Sequence, residues 1–260
     1  MSRTVNLDVL KNDEKALHLS DKYNVIKSSD IVEKFEKKGF VITDYSEARV
    51  RSQDKENKQK HFVRMSLADS IKMPERPEVI LHNSYDGSTA LKMYIGMYRF
   101  ACDNGMVIGD HLSEPLKMKH TNKQWDYLIY KFIEEYDAKI NSQQRVVNQM
   151  KNIPLDKNKE YEFACRAIEL REDINDVVDP MELVQVRRIE DNAMNLWNTF
   201  NKVQESIIGG LFQKKFDLEA DGETTHIIKK ASKLTDVNRI MKVNHDLSGL
   251  AKDFIQEIYW

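Results

Sequence analysis

Along this chain, apolar positions follow two different rhythms. Up to about residue 120 they alternate with polar ones in short stretches, as in half-buried strands; beyond that they recur every third or fourth residue, as in helices. The densest punctuation lies in residues 78–110, EVILHNSYDGSTALKMYIGMYRFACDNGMVIGD. Val79 and Leu81 read as strand, Asp86-Gly87 as a turn, and Ser88 or Thr89 as a helix cap. Leu91, Ile95, Tyr98 and Cys102 then fall at helical spacing, Asn104-Gly105 stops the helix, and Met106 to Ile108 resume as strand. A strand–helix–strand unit is therefore expected at the centre of the fold.

Upstream, Tyr23 to Ile26 reads as a short strand. A helix follows, capped by Ser28, Ser29 or Asp30, with Glu33 placed to complete a capping box and Gly39 ending it. Phe40 to Arg51 and His61 to Leu67 read as two strands joined by the polar loop Ser52–Lys60. In the second strand Val63, Met65 and Leu67 share a face with His61, opposite Phe62, Arg64 and Ser66. From Asn122 onward the pattern predicts helices: Trp125 through Pro154, Lys159 to Arg171, and a third from Asp179-Pro180 to Gly209-Gly210. In that third helix Ile189, Ala193, Leu196, Phe200, Val203 and Ile207 form a seam for another helix, within the molecule or across a dimer. Phe212 to Thr225 reads as a loop or hairpin around Asp221-Gly222, and the tail is helical. The class expected is α+β: residues 1–120 an antiparallel or mixed sheet with helices, residues 121–260 a helical half packed against it.

Composition narrows the picture. Of 260 residues, 41% are hydrophobic and 32% charged, with 9 glycines and 5 prolines, which argues against an all-β barrel or a disordered tail. Cys102 and Cys165 lie in apolar helical patterns and read as reduced, buried thiols of a cytosolic protein. No apolar run approaches the length of a membrane span, and the N-terminus lacks the apolar stretch of a signal peptide.

The formal net charge of −2 announces no nucleic-acid partner, but the distribution is uneven. Between Arg49 and Arg64, six Lys/Arg (49, 51, 55, 58, 60, 64) outnumber the acids Asp54 and Glu56. If the apolar faces of the two strands pack inward, Arg49, Arg51, Phe62 and Arg64 stay on an outer face. Cations with an aromatic on a sheet are the ingredients of a single-strand-binding platform, and they also describe any half-exposed hairpin. On the helix expected after Gly87, Lys92, Gly96 and Arg99 would share one side, where a glycine between two cations admits a phosphate backbone or a packed neighbour.

Other chemistry is missing or weak. The chain has no glycine-rich phosphate loop, no Gly-x-Ser-x-Gly, and no zinc spacing among Cys102, His111 and His120. Asp103, Asp110 and Glu114 lie close enough in sequence for a Mg²⁺ site, but acids are abundant throughout. His82 reads as a satisfied sheet histidine. No catalytic residue, metal or cofactor is expected.

Two stretches carry a resemblance. Asn83-Ser-Tyr-Asp86-Gly87-Ser88, followed by Cys102, Asn104 and Gly105, and later the lone His120, match one set of positions; Trp197, Asn198, Asn201, Gln204 and Glu205 match a W-N-x-x-N-x-x-Q-E run. Together they resemble a phage- and plasmid-borne family known as domain of unknown function 932, from about residue 20 to 250. Asp103 and Ala101 depart from the pattern. The resemblance implies a mobile-element origin and an intracellular site of action, with no activity attached. Two functions are expected. The first is non-catalytic binding of single-stranded DNA in replication, recombination or annealing, with Arg49, Arg51, Arg64, Lys92 and Arg99 on phosphates and Phe62 on a base. The alternative is a protein-binding factor, possibly oligomeric, that inhibits or redirects a host protein.

Overall fold

A computed structural model describes residues 5–73, 75–99, 115–171, 174, 178–220 and 223–259. They fall into two compact units, the first ending at Gln143 and the second beginning at Gln144.

The first unit is built on an antiparallel sheet of five strands in sequential order: β1 (Phe40–Glu47), β2 (His61–Leu67), β3 (Glu75–Asn83), β4 (Leu91–Arg99) and β5 (Leu116–Met118). Val63 and Met65 of β2, Val79 and Leu81 of β3, and Leu91, Met93 and Ile95 of β4 all point to one face and are fully buried. Two helices contribute to the same core. From α2 (Ser28–Glu36) come Ile31, Val32 and Phe35, and from α3 (Trp125–Glu134) come Ile129, Phe132 and Ile133. Phe35 meets Phe40 and Phe132 edge-on, a favoured arrangement of aromatic rings. A short helix, α1 (Leu7–Lys11), is capped by Asn6, and a longer one, α4 (Tyr136–Asn152), contains the division between the units.

The strand–helix–strand expectation fails at its middle: Leu91 to Arg99 is strand β4, not helix. Its backbone pairs with β3 from Lys92↔His82 to Arg99↔Glu75. Lys92 therefore sits on a strand, and the side chain of Arg99, with Cys102, Asn104, Gly105 and the expected Mg²⁺ carboxylates Asp103, Asp110 and Glu114, lies outside the described residues. Tyr23 to Ile26 is irregular rather than a strand, and β1 stops at Glu47, leaving Arg49 and Arg51 in the connection to β2.

The second unit contains α5 (Lys157–Ile168), α6 (Leu196–Gly209), the hairpin β6 (Gln213–Ala220)–β7 (Glu223–Lys230), and α7 (Val237–Tyr259). The expected third helix is shorter than its pattern: 3-10 turns at Pro180–Glu182 and Ile189–Asp191 precede α6. Helix α6 is the buried centre, with Leu196, Phe200, Val203 and Ile207 inaccessible, and it packs against α5 and α7. The seam is thus used inside the unit, and Ile189, counted in it, is exposed. Gly210 ends the helix with φ +63°; a Cβ there would lie 2.5 Å from the Ala231 carbonyl oxygen. Among the described residues, no helix is long and apolar enough to cross a membrane.

Candidate nucleic-acid interface

The turn after β3 is tied to the N-terminal segment by side chains. Asn83 Nδ2 donates to the Ile26 carbonyl (2.9 Å) and to Ser28 Oγ (3.0 Å), while its Oδ1 accepts from the Ser84 amide (2.9 Å). Tyr85 accepts from the Ser28 amide and donates to the Leu10 carbonyl, and Tyr23 donates to the Ser84 carbonyl. His61 Nδ1 faces the Gln59 carbonyl, which can only accept, so Nδ1 carries the proton and bare Nε2 receives the Ser28 hydroxyl at 2.7 Å. Burial pushes His61 down to about 4, which keeps that tautomer neutral at pH 7. A serine and histidine at this distance resemble a nucleophile with its base. Both are wholly buried and bonded on all sides, so they brace the interior rather than meet a substrate.

His120 joins the same assembly. It stacks on Tyr23 (centroids 4.5 Å apart, 16° between planes) and donates from Nδ1 to the Asn24 carbonyl, with no hydrogen-bond partner for Nε2 among the described residues. Asp86 closes the turn by accepting from the Ser88 amide, and Gly87 takes φ +73° where a Cβ would meet Leu19 at 2.7 Å. Asn83, Asp86, Gly87 and His120 are thus the framework that fixes a turn.

Beside that turn lies a cleft of about 450 Å³, lined by Ala48, Arg49, Val50, Arg51, Ser52, Lys55, Gln59, Lys60, Asp86 and Ser88. The loop that makes it is anchored at its end, where the Ala48 amide bonds the Lys60 carbonyl and the Tyr85 amide bonds the Lys58 carbonyl. Arg49, Arg51 and Lys55 are exposed, Lys60 is half-buried, and Asp86 is the one carboxylate in the lining. Four cations around a concavity with one acid create a positive field suited to phosphate.

The residues expected from the sequence fall into different environments. Arg49 and Arg51 line the cleft. Arg64, expected on an open face, is buried at 5% exposure: its Nε donates to Glu78 Oε2 at 2.6 Å, and Asp44 lies 3.7 Å away. Arg76 bonds the other oxygen of Glu78, so this buried carboxylate is shared by two guanidinium groups. Phe62 is half-buried, and one ring face is occupied by His82, centroids 4.1 Å apart. Lys92 is half-buried on the same sheet face as Phe62, and burial, then Lys117 and Lys60, hold its amine below its ordinary value. Lys55 and Lys60 belong to the cation-rich stretch but not to the expected phosphate contacts, and Gln59 and Ser88 carry no charge signal; only the fold shows which of these residues converge.

In the second unit the W-N-x-x-N-x-x-Q-E positions are interior. Asn198 Nδ2 bonds the carbonyls of Glu190 and Ala193, Gln204 bonds Asn244, and Glu205 pairs with Arg188. Asn201 donates to the Trp197 carbonyl, and Trp197 stacks on Phe200. Nearby, Glu160 accepts from Thr199 and Lys202. These residues hold α6 to its neighbours.

Comparison with known proteins gives one family and no chemistry. A family model described as "Domain of unknown function (DUF932)" matches residues 17–232. The UPF0380 protein YfjQ of Escherichia coli (strain K12) is 24% identical over 254 residues, covering 95% of this chain and 88% of the relative. The UPF0380 protein YafZ of the same strain is 25% identical over 202 residues, covering 76% of this chain and 72% of the relative. No solved structure matches.

Proposed function

The chain belongs to the DUF932 family, a domain of unknown function, and we propose that it is a non-catalytic protein that binds single-stranded nucleic acid through the Arg49–Arg51–Lys55–Lys60 cleft. The observation that carries this reading is the convergence of those four cations, with Asp86 as the one acid, on a cleft of about 450 Å³. A concavity of that size receives a phosphate and its sugar from a flexible strand, whereas a duplex offers its phosphates from a stiff, wide surface. Binding through phosphate is sequence-tolerant, as annealing or recombination requires. The setting proposed is the cytoplasm of a cell carrying a phage or plasmid.

Fluorescence anisotropy with labelled single- and double-stranded DNA across a salt series, with and without Mg²⁺, tests the proposal. The expected result is tight single-strand binding that weakens steeply with salt, without cleavage. Absence of single-strand binding at low salt overturns it.

A second reading, a protein-binding factor that redirects a host protein, is favoured by exposed Met181, Val186, Ile189 and Met194, which cluster in one stretch before α6. A stoichiometric host protein that copurifies with the wild type and not with an Ile189→Asp variant would favour it.

A further inference from the structure

Strand register brings a second set of cations together, on the sheet face opposite the core. Phe62 stands across from His82, His82 from Lys92, and Lys92 from Lys117, forming one row over β2 to β5. Lys60, two residues before Phe62, has the same strand parity. Two like charges directly opposite in an antiparallel pair disfavour each other, and an anion seated between Lys92 and Lys117 would relieve that repulsion. The mutual effect of these amines is felt: Lys117 and Lys60 both depress Lys92, after burial.

His82 is the second observation. It is 1% exposed, and both ring nitrogens lack a hydrogen-bond partner among the described residues. A neutral imidazole carries one N–H and one lone pair, and a buried ring that uses neither is a rarity that calls for a ligand. Its orientation is not loose, because Phe62 lies flat against it at 4.1 Å. The row also runs inward from solvent: Lys117 is exposed, Lys92 half-buried and His82 buried. Ammonium groups backed by a fixed N–H donor are the usual partners of phosphate oxygens.

We infer that Lys60, His82, Lys92 and Lys117 form a phosphate-binding subsite on the outer face of the sheet. It goes beyond the single-strand reading and does not require it, although Lys60 borders both the cleft and this row. The phosphate can belong to a nucleic-acid strand or to a small phosphorylated molecule, since the recognising chemistry is the same.

The test is the ¹H–¹⁵N spectrum of the His82 imidazole, assigned with His82→Asn, during titration at constant ionic strength with inorganic phosphate and, separately, with a short oligothymidylate. His82 signals are expected to move, and Lys117→Ala, at an exposed position where folding is unaffected, should raise the midpoint about tenfold for the loss of one charge-assisted contact. Arg49→Ala/Arg51→Ala should leave the phosphate titration unchanged. Movement with the oligonucleotide alone supports the subsite with a strand as its source; movement with phosphate alone supports it with a small phosphorylated ligand. If His82 is silent to both, or Lys117→Ala leaves the midpoint where it was, the subsite does not exist. Oligonucleotide binding that is lost in Arg49→Ala/Arg51→Ala while His82 stays silent would keep the cleft reading and remove this one.

Discussion

Asn83 and Ser28, 55 positions apart, are joined by a 3.0 Å hydrogen bond from the amide of one to the hydroxyl of the other. The same amide holds the Ile26 carbonyl, and its oxygen holds the Ser84 amide. A single wholly buried side chain therefore satisfies three groups that no ladder reaches. Asn83→Ala should cost about 2–3 kcal/mol, because it leaves a buried carbonyl and a buried amide unmatched. Asn83→Asp should be at least as harmful, since a carboxylate cannot donate to Ile26. Urea denaturation followed by circular dichroism measures both, and a midpoint equal to wild type would show that the bonds are dispensable.

Glu78 offers a sharper contrast within the same sheet. It is 1% exposed and stands between Arg64 and Arg76. Glu78→Gln removes the buried charge that both guanidinium groups share and should destabilise by about 3–5 kcal/mol. Arg51→Ala, at an exposed position, should stay within about 0.5 kcal/mol of wild type. Thermal melts of the two variants side by side give the comparison.

Much of this architecture is legible in the sequence, and the failures have definite causes. The strand holding Val63 and Met65 shows its period because polar Arg64 and Ser66 alternate with them, while Val79-Ile80-Leu81 reads as strand from its short apolar run. Strand β4 does not, because Tyr94 and Gly96 on its other face are buried as well. Leu91, Ile95 and Tyr98 then satisfy a period of 3.6 as readily as Leu91, Met93, Ile95 and Met97 satisfy a period of 2. Pairing with β3 decides the matter, and pairing is not a local property. The burial of Arg64 is illegible for a related reason: its partner Glu78 lies 14 residues away and becomes a neighbour only through the β2–β3 register. The cleft was half legible. Arg49 and Arg51 could be named from local charge, but Lys60 and Asp86 join them only when the β3 turn folds back against the loop.

Three buried imidazoles give the first unit a definite response to acid. Burial pushes His61 to about 4 and His82 to about 3, and it lowers His120 as well. Each is neutral in the fold and takes up a proton near 6.5 when unfolded. The unfolded chain thus binds more protons below that value, and stability falls as pH drops. The contribution is fully present above about pH 6.5 and is lost as pH falls, towards about 4 for His61 and about 3 for His82, by about 1.4 kcal/mol per pH unit for each of these two rings. Stabilities from urea denaturation at pH 7 and pH 5 should differ by about 4 kcal/mol from His61 and His82 together, and His61→Asn should shrink that difference. Equal midpoints at the two pH values would mean that the rings are already charged or solvated.

The cleft and the buried arginine cluster make opposite predictions for binding. If Arg49 and Arg51 each neutralise one phosphate of a single strand, replacing both by Ala removes two counterion-release events. The slope of log K against log salt should then flatten by about 1.4, from about 0.7 per contact, with the melting temperature unchanged. Arg64→Met acts differently, because that guanidinium serves Glu78 rather than a ligand. It should lower the melting temperature and, in whatever fraction remains folded, leave the slope as in wild type. Salt-dependent anisotropy on the two variants separates the cases. A flattened slope with Arg64→Met and none with Arg49→Ala/Arg51→Ala would move the phosphate contacts from the cleft to the interior of the sheet, where a strand reaches them only if the fold opens.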